Sequence, residues 1–264
     1  MLVFMGLGRM GLPMAQHLLQ AGVDVRGYDV AAERMALFEN AGGRIVEDVA
    51  ASLRDADAVM IMAGSQDQVH AIFDGPNGIL ACARPGTLVL VISTVAPGFI
   101  QKLGHPVAKR GLRLVDAPVC RAETGAIAGT LLTFLSGEKS ACDEAAELMR
   151  PFSTDIENVG SKLGAAQVAK TVNNLILWAC VVANYEGFSL AKTWKLDLAA
   201  LRRALATSTA DNWSLRQWDK VGEWPWSIKD MDIAQQTGRE RGVKLPLCEK
   251  VGELVRTIEV LNHG

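Results

Sequence analysis

The chain has 264 residues, of which 49% are hydrophobic and 21% charged, enough for one large or two ordinary globular domains. Its formal net charge of -2 argues against a surface for nucleic acid or anionic membranes. The five cysteines and four histidines are scattered, which predicts free thiols in a reducing cytoplasm and no metal cluster. No apolar run approaches the ~20 residues of a membrane span, and early glycines interrupt any signal peptide, so we expect a cytoplasmic protein.

The first predicted elements are a strand, a glycine-rich turn and a helix. The short apolar run Leu2–Met5 ends at the GxGxxG sequence of residues 6–11, and a helical pattern follows. In that context the turn predicts a dinucleotide-binding site. Gly6 permits the tight turn, Gly8 lets backbone N–H groups approach a pyrophosphate, and Gly11 lets the helix pack closely on the strand. The phosphates would then lie at the helix N-terminus, where free N–H groups and the helix dipole favour an anion.

A second predicted strand, Val23–Asp29, ends in an acid at the position that selects the cofactor. There a carboxylate accepts hydrogen bonds from the adenine ribose hydroxyls and repels a 2′-phosphate. Asp29 therefore favours NAD(H) over NADP(H), although Arg34, a turn further on, keeps NADP(H) possible. The alternative is a glycine-rich turn followed by an acid that has no such role.

Strand and helix patterns alternate through the rest of the first half. This alternation predicts a parallel, doubly wound sheet that binds ligands at the carboxyl ends of its strands. The loops at Ala63 and Thr94 follow two buried strands, so we expect them to contact the cofactor, although Ser-Thr before Pro97 is also a common helix N-cap. The predicted strands are 44–46, 57–62, 86–92, 111–119 and 131–135, and the predicted helices are 31–40, 49–54, 140–150 and one starting at Pro97.

The stretch Gly164–Lys192 has no proline and is mostly apolar, which predicts one long helix. It nevertheless carries Lys170, Asn173 and Asn174 near its start. Lys170 and Asn174 share a face of the helix because they are four residues apart. These polar side chains either belong to an exposed first turn or line a site.

Four further helical patterns follow, so the second domain is predicted to be all-α. The predicted fold class is α/β, with a dinucleotide-binding Rossmann domain over residues 1–160 joined by the long helix to a helical substrate and oligomerisation domain over residues 161–264. All six tryptophans lie in this half, and we expect them in its core or in a subunit interface. The four patterns cover residues 197–207, 211–221, 229–242 and 246–261.

Four separated motifs resemble those of the β-hydroxyacid dehydrogenase family, which includes 3-hydroxyisobutyrate dehydrogenases and tartronate semialdehyde reductases. The sequence GLGRMGLPMAQHL matches the family's N-terminal GLGxMGxPMAxxL. Asp116-APV followed by Gly129-TL matches DAPVSGG…GTL, and Gly164-AAQVAKTVNN matches GxGxxxKxxNN, with Ala166 in place of the second glycine. Lys229-Asp230 matches the KD pair that begins a later helix. Together the motifs cover nearly the whole chain.

The resemblance implies a role for each matching residue. Lys170 matches the catalytic lysine, and Asn174 matches an asparagine that orients the substrate. Ala63 and Thr94 would line the path to the nicotinamide, and Lys229 would lie near the nicotinamide end. The pyrophosphate and the ribose would be bound by Gly6, Leu7, Gly8, Arg9, Met10, Gly11 and Asp29.

The substrate loop departs from the family pattern. Where the family has Ser-Gly-Gly to hold a substrate carboxylate, this chain has Cys120, Arg121 and Ala122. The loop is most similar to that of the sulfolactaldehyde reductase branch, in which an arginine sits at the same step. An arginine can bind a carboxylate, sulfonate or phosphonate through paired N–H donors. We therefore expect these three residues to contact the substrate; the alternative for Arg121 is a surface arginine in a flexible turn.

With the resemblance, these residues predict an oxidoreductase that transfers a hydride between NAD(H) and a short 3-hydroxyacid or acid-bearing semialdehyde. Lys170 would stabilise the alkoxide and exchange its proton. An imine reductase shares this architecture but typically lacks the lysine, and a non-catalytic NAD(H)-sensing protein would need only the first domain. The family forms dimers and tetramers, so we expect a homodimer or homotetramer with a small anionic aldehyde or hydroxyacid substrate, and neither nucleic acid nor membrane as a partner.

Overall fold

The computed structural model describes residues 1–258, which form two compact units. The first unit comprises Met1–Lys170, and the second begins at Thr171. The division therefore falls within one continuous helix. The predicted domain boundary after residue 160 stays a prediction.

The first unit is built on a nine-stranded sheet. Its strands are β1 (Leu2–Met5), β2 (Val25–Tyr28), β3 (Arg44–Ile45), β4 (Ala58–Ile61), β5 (Leu88–Val91), β6 (Arg113–Asp116), β7 (Val119–Cys120), β8 (Leu131–Gly137) and β9 (Ser153–Asn158). The first six are all parallel and lie in the order β3-β2-β1-β4-β5-β6, which is that of a doubly wound Rossmann fold. Strand β8 extends the sheet antiparallel to β6, and it pairs with β7 and β9 as well.

The central strands are buried on both faces, as parallel sheets covered by helices require. Every residue of β1, β4 and β5 is buried. Side chains alternate between two separate cores, with Phe4 and Leu90 in one and Val3 and Val89 in the other. The predicted fold class is confirmed.

Helices connect these strands, and the predicted long helix follows the last strand. Helix α9 begins after Gly164, which has φ of +87° and lies so close to Pro97 that a Cβ there would be 2.7 Å from the proline carbonyl oxygen. The helix spans 29 residues, or about 40 Å. The helices are α1 (Gly11–Gln20), α2 (Ala32–Asn40), α3 (Val49–Asp55), α4 (Gln66–Phe73), α5 (Ile79–Cys82), α6 (Pro97–Lys109), α7 (Ala122–Ala128), α8 (Lys139–Met149) and α9 (Ala165–Thr193).

Some predicted elements of the first unit are wrong. The single strand predicted over residues 111–119 is two strands, β6 and β7, because Pro118 has no N–H to continue the ladder. The predicted loop at Ala63 is followed by helix α4, and the hydroxyl of Ser65 caps this helix by accepting from the N–H of Gln68 at 3.2 Å. Helices α4, α5 and α7 and strand β9 have no counterpart among the predicted elements.

The second unit is helical, with a core that includes Trp178, Trp224 and Met231. The helix predicted over residues 211–221 is instead a short α-helix followed by a 3₁₀ helix. Trp213, at the start of the short helix, stacks on Trp224, directly after the 3₁₀ helix, with ring centroids 5.0 Å apart. Of the last predicted helix, residues 259–261 lie outside the described part of the chain. The remaining elements are α10 (Leu198–Leu205), α11 (Trp213–Arg216), the 3₁₀ helix Trp218–Glu223, α12 (Ser227–Glu240) and α13 (Pro246–Leu254).

Helix α9 is also the one helix in residues 1–258 that could cross a membrane by length and composition. Its most apolar window has a mean hydropathy of 1.3, and 39% of that window is buried. A core helix of a soluble protein meets the same criteria, so this is weak evidence for a span.

Candidate active site

Each glycine of the glycine-rich turn has different surroundings, so a side chain would have a different effect at each position. Gly6 has φ of +100°, and a Cβ there would overlap the carbonyl of Met62. A Cβ on Gly11 would overlap the carbonyl oxygen of Gly6, so only glycine lets α1 start this close to β1. At Gly8, by contrast, a Cβ would meet no atom of the described chain within 4 Å. The protein's own packing does not require glycine at this position, and the open space fits a ligand that approaches the backbone closely.

The N-terminus of α1 fits an anion. It begins at Gly11, has no acidic residue in its first turn and no side-chain cap at Met10. Its first N–H groups and its dipole therefore favour a phosphate. The guanidinium of the neighbouring Arg9 pairs with Glu123 on α7, with Nε and Nη2 at 2.7 and 2.6 Å from the carboxylate.

Asp29, directly after β2, is fixed by backbone donors. One carboxylate oxygen accepts from the N–H of Leu7 in the glycine-rich turn at 2.7 Å, and the other accepts from the N–H of Ala31 at 2.9 Å. These contacts hold a negative charge beside the turn, at the carboxyl edge of the sheet. The turn and this acid together match what a dinucleotide requires, with phosphates on α1 and ribose hydroxyls on Asp29.

The loops after β4 and β5 are joined by a hydrogen bond. The N–H of Ala63 donates to the hydroxyl of Ser93 at 2.7 Å, and Ser93 is completely buried. Thr94 is the next residue and is only partly buried. The structure thus brings together the two loops predicted to line the path to the nicotinamide.

The predicted catalytic lysine lies beside the substrate loop. Lys170, half-buried near the start of α9, places its Nζ 3.7 Å from the Sγ of Cys120 at the end of β7. Cys120 is buried, with 4% of its surface exposed. These two predicted site residues, from distant parts of the sequence, are therefore neighbours.

The substrate loop turns through two residues with left-handed backbone. Arg121 has φ of +86° and Ala122 of +53°, conformations that cost about 1–2 kcal/mol for a residue other than glycine. The Nη1 of Arg121 donates to the carbonyl of Thr130 at 2.7 Å and to the hydroxyl of Thr154 at 2.9 Å, and it pairs with Asp155 at 2.6 Å. Arg121 is therefore an anchored side chain, and its charge is partly balanced.

Two predicted site residues belong to the second unit. Asn174 is buried, and its amide oxygen accepts from the side chain of Asn173 at 3.0 Å. Lys229 lies in the first turn of α12, next to Asp230. Asp230 is buried and accepts from the indole N–H of Trp178 at 3.0 Å, which fixes the start of that helix.

Sequence reasoning missed a buried polar cluster that anchors the start of α9. The carboxylate of Asp116, at the end of β6, accepts from the backbone N–H and the side-chain amide of Gln167 at 3.0 and 2.8 Å. The hydroxyl of Ser136 donates to the same carboxylate at 3.3 Å and accepts from the N–H of Ala166 at 3.1 Å. All three side chains are completely buried. The signal was a glutamine in the otherwise apolar stretch before Lys170 and an acid closing a buried strand.

Two family models together match nearly the whole chain. Residues 1–160 match the model of the NAD binding domain of 6-phosphogluconate dehydrogenase, and residues 164–264 match the model for NAD-binding of NADP-dependent 3-hydroxyisobutyrate dehydrogenase. An NAD-dependent L-serine dehydrogenase of Pseudomonas aeruginosa is 33% identical over 224 residues, which is 85% of this chain and 74% of that enzyme. The chain belongs to the β-hydroxyacid dehydrogenase family.

Two further relatives agree with this family. A 3-hydroxyisobutyrate dehydrogenase of Pseudomonas aeruginosa is 31% identical over 249 residues, 94% of this chain and 82% of that enzyme. The solved structure of Mycobacterium tuberculosis 3-hydroxyisobutyrate dehydrogenase with L-serine has a TM-score of 0.87 and 26% identity, covering 97% of this chain and 92% of that one. The protein is thus a hydroxyacid dehydrogenase that uses a nicotinamide cofactor. Within residues 1–258 no group of three or more His, Cys, Asp or Glu side chains could hold a metal.

Burial of Asp116 in this dehydrogenase gives its stability a distinct pH dependence. Loss of hydration raises the pKa of the Asp116 carboxyl to about 7, although hydrogen bonds from Gln167 and Ser136 oppose the shift. The unfolded chain loses this proton near pH 4. Between about pH 4 and 7 the folded state therefore binds more protons than the unfolded state, and the free energy of unfolding falls as pH rises.

Replacing Asp116 with asparagine should remove that slope. Relative to the variant, the wild-type protein is expected to lose about 2 to 4 kcal/mol between pH 4 and 8 and little further above pH 8. The lost hydrogen bond adds an offset that does not vary with pH. Urea denaturation of both proteins at pH 5, 6, 7 and 8 measures the difference and cancels the titration of other groups. A difference that is constant with pH would contradict a raised pKa at this carboxyl.

Proposed function

We propose that this dehydrogenase transfers a hydride between NAD(H) and a short 3-hydroxyacid or semialdehyde that carries an acid group. The observation that carries the proposal is the 3.7 Å contact between the Nζ of Lys170 and the Sγ of Cys120. It places an amine in the same unit as the dinucleotide turn and beside the loop that departs most from the family's sequence pattern. Bound NAD(H) would supply the hydride acceptor or donor.

Lys170 would serve as proton donor in reduction and as proton acceptor in oxidation. When a carbonyl is reduced, its oxygen becomes an alkoxide, and a positioned ammonium both stabilises that charge and supplies the proton. Asn174 follows Lys170 by one turn in the same helix and would hold the hydroxyl or carbonyl group. This assignment rests on the family resemblance and on helix spacing.

The anchored guanidinium of Arg121 would bind the acid group of the substrate. Its contacts within the described chain, to Thr130, Thr154 and Asp155, all use Nη1. Nε and Nη2 thus keep three N–H donors, enough for a bidentate contact with a carboxylate or sulfonate. The left-handed backbone of Arg121 and Ala122 would present their N–H groups to the same ligand, and Cys120 would line the contact. The resemblance of this loop to the sulfolactaldehyde reductase branch supports including sulfonates.

The position of Asp29 supports NAD(H) over NADP(H). Both of its oxygens are occupied by backbone donors, so the charge cannot rotate away from a 2′-phosphate. The role of Lys229 stays a prediction from the family resemblance. The predicted homodimer or homotetramer and the cytoplasmic location stay predictions; the exposed Trp194 and Leu196 of the second unit are compatible with an oligomer.

A panel of aldehydes tests the proposal. With NADH, three-carbon aldehydes bearing a carboxylate, sulfonate or phosphonate should exceed a neutral aldehyde of equal length in kcat/KM by about tenfold or more, because a charged hydrogen bond contributes about 1.5–3 kcal/mol. Arg121→Gln should abolish that preference. Arg150→Gln, which removes an exposed arginine paired with Glu147 on α8, should retain it and is the control. NADPH should support slower reduction than NADH.

Three results would contradict the proposal, each in a different way. Equal kcat/KM for anionic and neutral aldehydes would remove the anionic substrate class. Faster reduction of a cyclic imine than of any aldehyde would favour an imine reductase. Tight NADH binding without turnover of any carbonyl or imine compound would favour a sensing protein.

A further inference from the structure

A buried glutamine connects the loop after β5 to the helix that carries the proposed catalytic lysine. Gln167 lies in the first turn of α9, three residues before Lys170, and none of its surface is exposed. Its side-chain nitrogen donates to the carbonyl of Ser93 at 3.0 Å, and its oxygen accepts from the N–H of Val95 at 3.1 Å. One amide therefore holds the backbone on both sides of Thr94.

Gln167 is also held by Asp116, at the end of β6. Its side-chain nitrogen also donates to Asp116 at 2.8 Å, and its own backbone N–H donates to the second oxygen of that carboxylate at 3.0 Å. The hydroxyl of Ser93 in turn accepts from the N–H of Ala63 at 2.7 Å. The loops after β4 and β5, the last residue of β6 and the first turn of α9 thus form one hydrogen-bonded cluster within the first unit.

We propose that Gln167 is a positioning residue that sets the loop around Thr94 relative to Lys170. The inference rests on the proposed function, in which Thr94 lies beside the nicotinamide and Lys170 protonates the substrate. Hydride transfer needs its reacting atoms within a few tenths of an ångström of their best geometry, and a shift of about 1 Å can cost about 100-fold in rate. Gln167 contacts neither substrate nor cofactor in this assignment; it acts through the two groups it connects.

If Gln167 only stabilised the fold, its loss would weaken binding of NADH and of ADP-ribose equally. The adenosine diphosphate half would be bound by the glycine-rich turn and Asp29, neither of which Gln167 contacts among its hydrogen bonds described above. The nicotinamide half would lie at the loop that Gln167 holds. Loss of the amide should therefore weaken NADH while leaving ADP-ribose, which lacks the nicotinamide, unaffected.

The test compares Gln167→Met, which keeps the side-chain length without its polar atoms, with Gln167→Asn, which keeps an amide too short to make all its contacts. In both variants NADH affinity should fall about threefold to tenfold, as expected for a lost hydrogen bond. The kcat should fall about 10- to 100-fold, and ADP-ribose affinity should stay within about twofold. NADH and ADP-ribose are titrated by tryptophan fluorescence and calorimetry.

The control is Thr87→Val. The hydroxyl of Thr87, completely buried at the amino end of β5, donates to the carbonyl of Ala56 at 3.1 Å. This variant removes one buried hydrogen bond directly before β5, at the end of the strand away from the site. It should lower thermal stability without changing either affinity or kcat.

Two outcomes would overturn the inference. One is a folded Gln167→Asn protein with wild-type NADH affinity and kcat, which also decides the matter if Gln167→Met does not fold. The other is an equal loss of NADH and ADP-ribose affinity, which a general loosening of the first unit would produce. If the wild-type protein turns over no aldehyde, the proposed function fails, yet the comparison of NADH with ADP-ribose still tests the role of Gln167.

Discussion

Replacing Lys170 with alanine is expected to lower kcat by about 100- to 10,000-fold while NADH binds as in the wild type. The amine is the group placed to stabilise the alkoxide and to exchange the proton, and alanine leaves neither a charge nor a proton donor there. Lys170→Arg should remain at least about 100-fold impaired, because a guanidinium keeps its charge but does not release its proton near neutral pH.

The measurement is steady-state turnover of the best substrate in the panel, with NADH affinity determined separately. Lys192→Ala, at the exposed end of the same helix, is the matched control and should retain wild-type kcat. Near-normal turnover by Lys170→Ala, with NADH bound and the protein folded, would end the assignment of this lysine as the catalytic residue.

Two glycines of the glycine-rich turn, Gly8 and Gly11, are expected to differ in what an alanine substitution changes. Gly11→Ala should destabilise the protein by about 3 kcal/mol or more, because its Cβ would overlap the carbonyl oxygen of Gly6 and backbone must move. Gly8→Ala should change the free energy of unfolding by less than about 0.5 kcal/mol, since its Cβ would meet nothing within 4 Å in the described chain.

Gly8→Ala should weaken cofactor binding although it leaves stability nearly unchanged. Its added methyl group fills the space through which a pyrophosphate would approach the backbone, so NADH and ADP-ribose affinity should both fall about tenfold or more. Thermal denaturation and ligand titration of the two variants give the four values needed. Unchanged NADH affinity in Gly8→Ala would show that the pyrophosphate does not approach this glycine.

Much of the fold could be predicted because the relevant signals are local. The buried strands β1 and β5 are short runs of apolar residues, and the glycine spacing of residues 6–11 marks the turn between strand and helix. The long helix followed from composition and from the absence of breakers. Helix α7 and strand β9 could not be found in this way, because a seven-residue Ala-Gly-Thr segment and the polar sequence STDIEN carry no strong periodicity.

Motif spacing predicts the residues of the candidate site but not the contacts between them. It predicts roles for Lys170 and the substrate loop, yet nothing in the sequence indicates that Arg121 pairs with Asp155, 34 positions later. The role of Gln167 was equally hidden, because its partners Ser93, Val95 and Asp116 come from two other strand ends. Such contacts depend on tertiary packing, which pattern and propensity do not encode.

The left-handed backbone at Arg121 and Ala122 also bears on how this loop can change during evolution or engineering. Glycine at either position would relieve strain of about 1–2 kcal/mol. At residue 121 it would also remove the contacts of the guanidinium with Thr130, Thr154 and Asp155. The backbone strain at Arg121 and the contacts of its side chain therefore act on stability in opposite directions. In a library that varies residue 121, most variants other than glycine would keep the backbone strain while losing the guanidinium contacts, so folding has to be selected together with substrate choice.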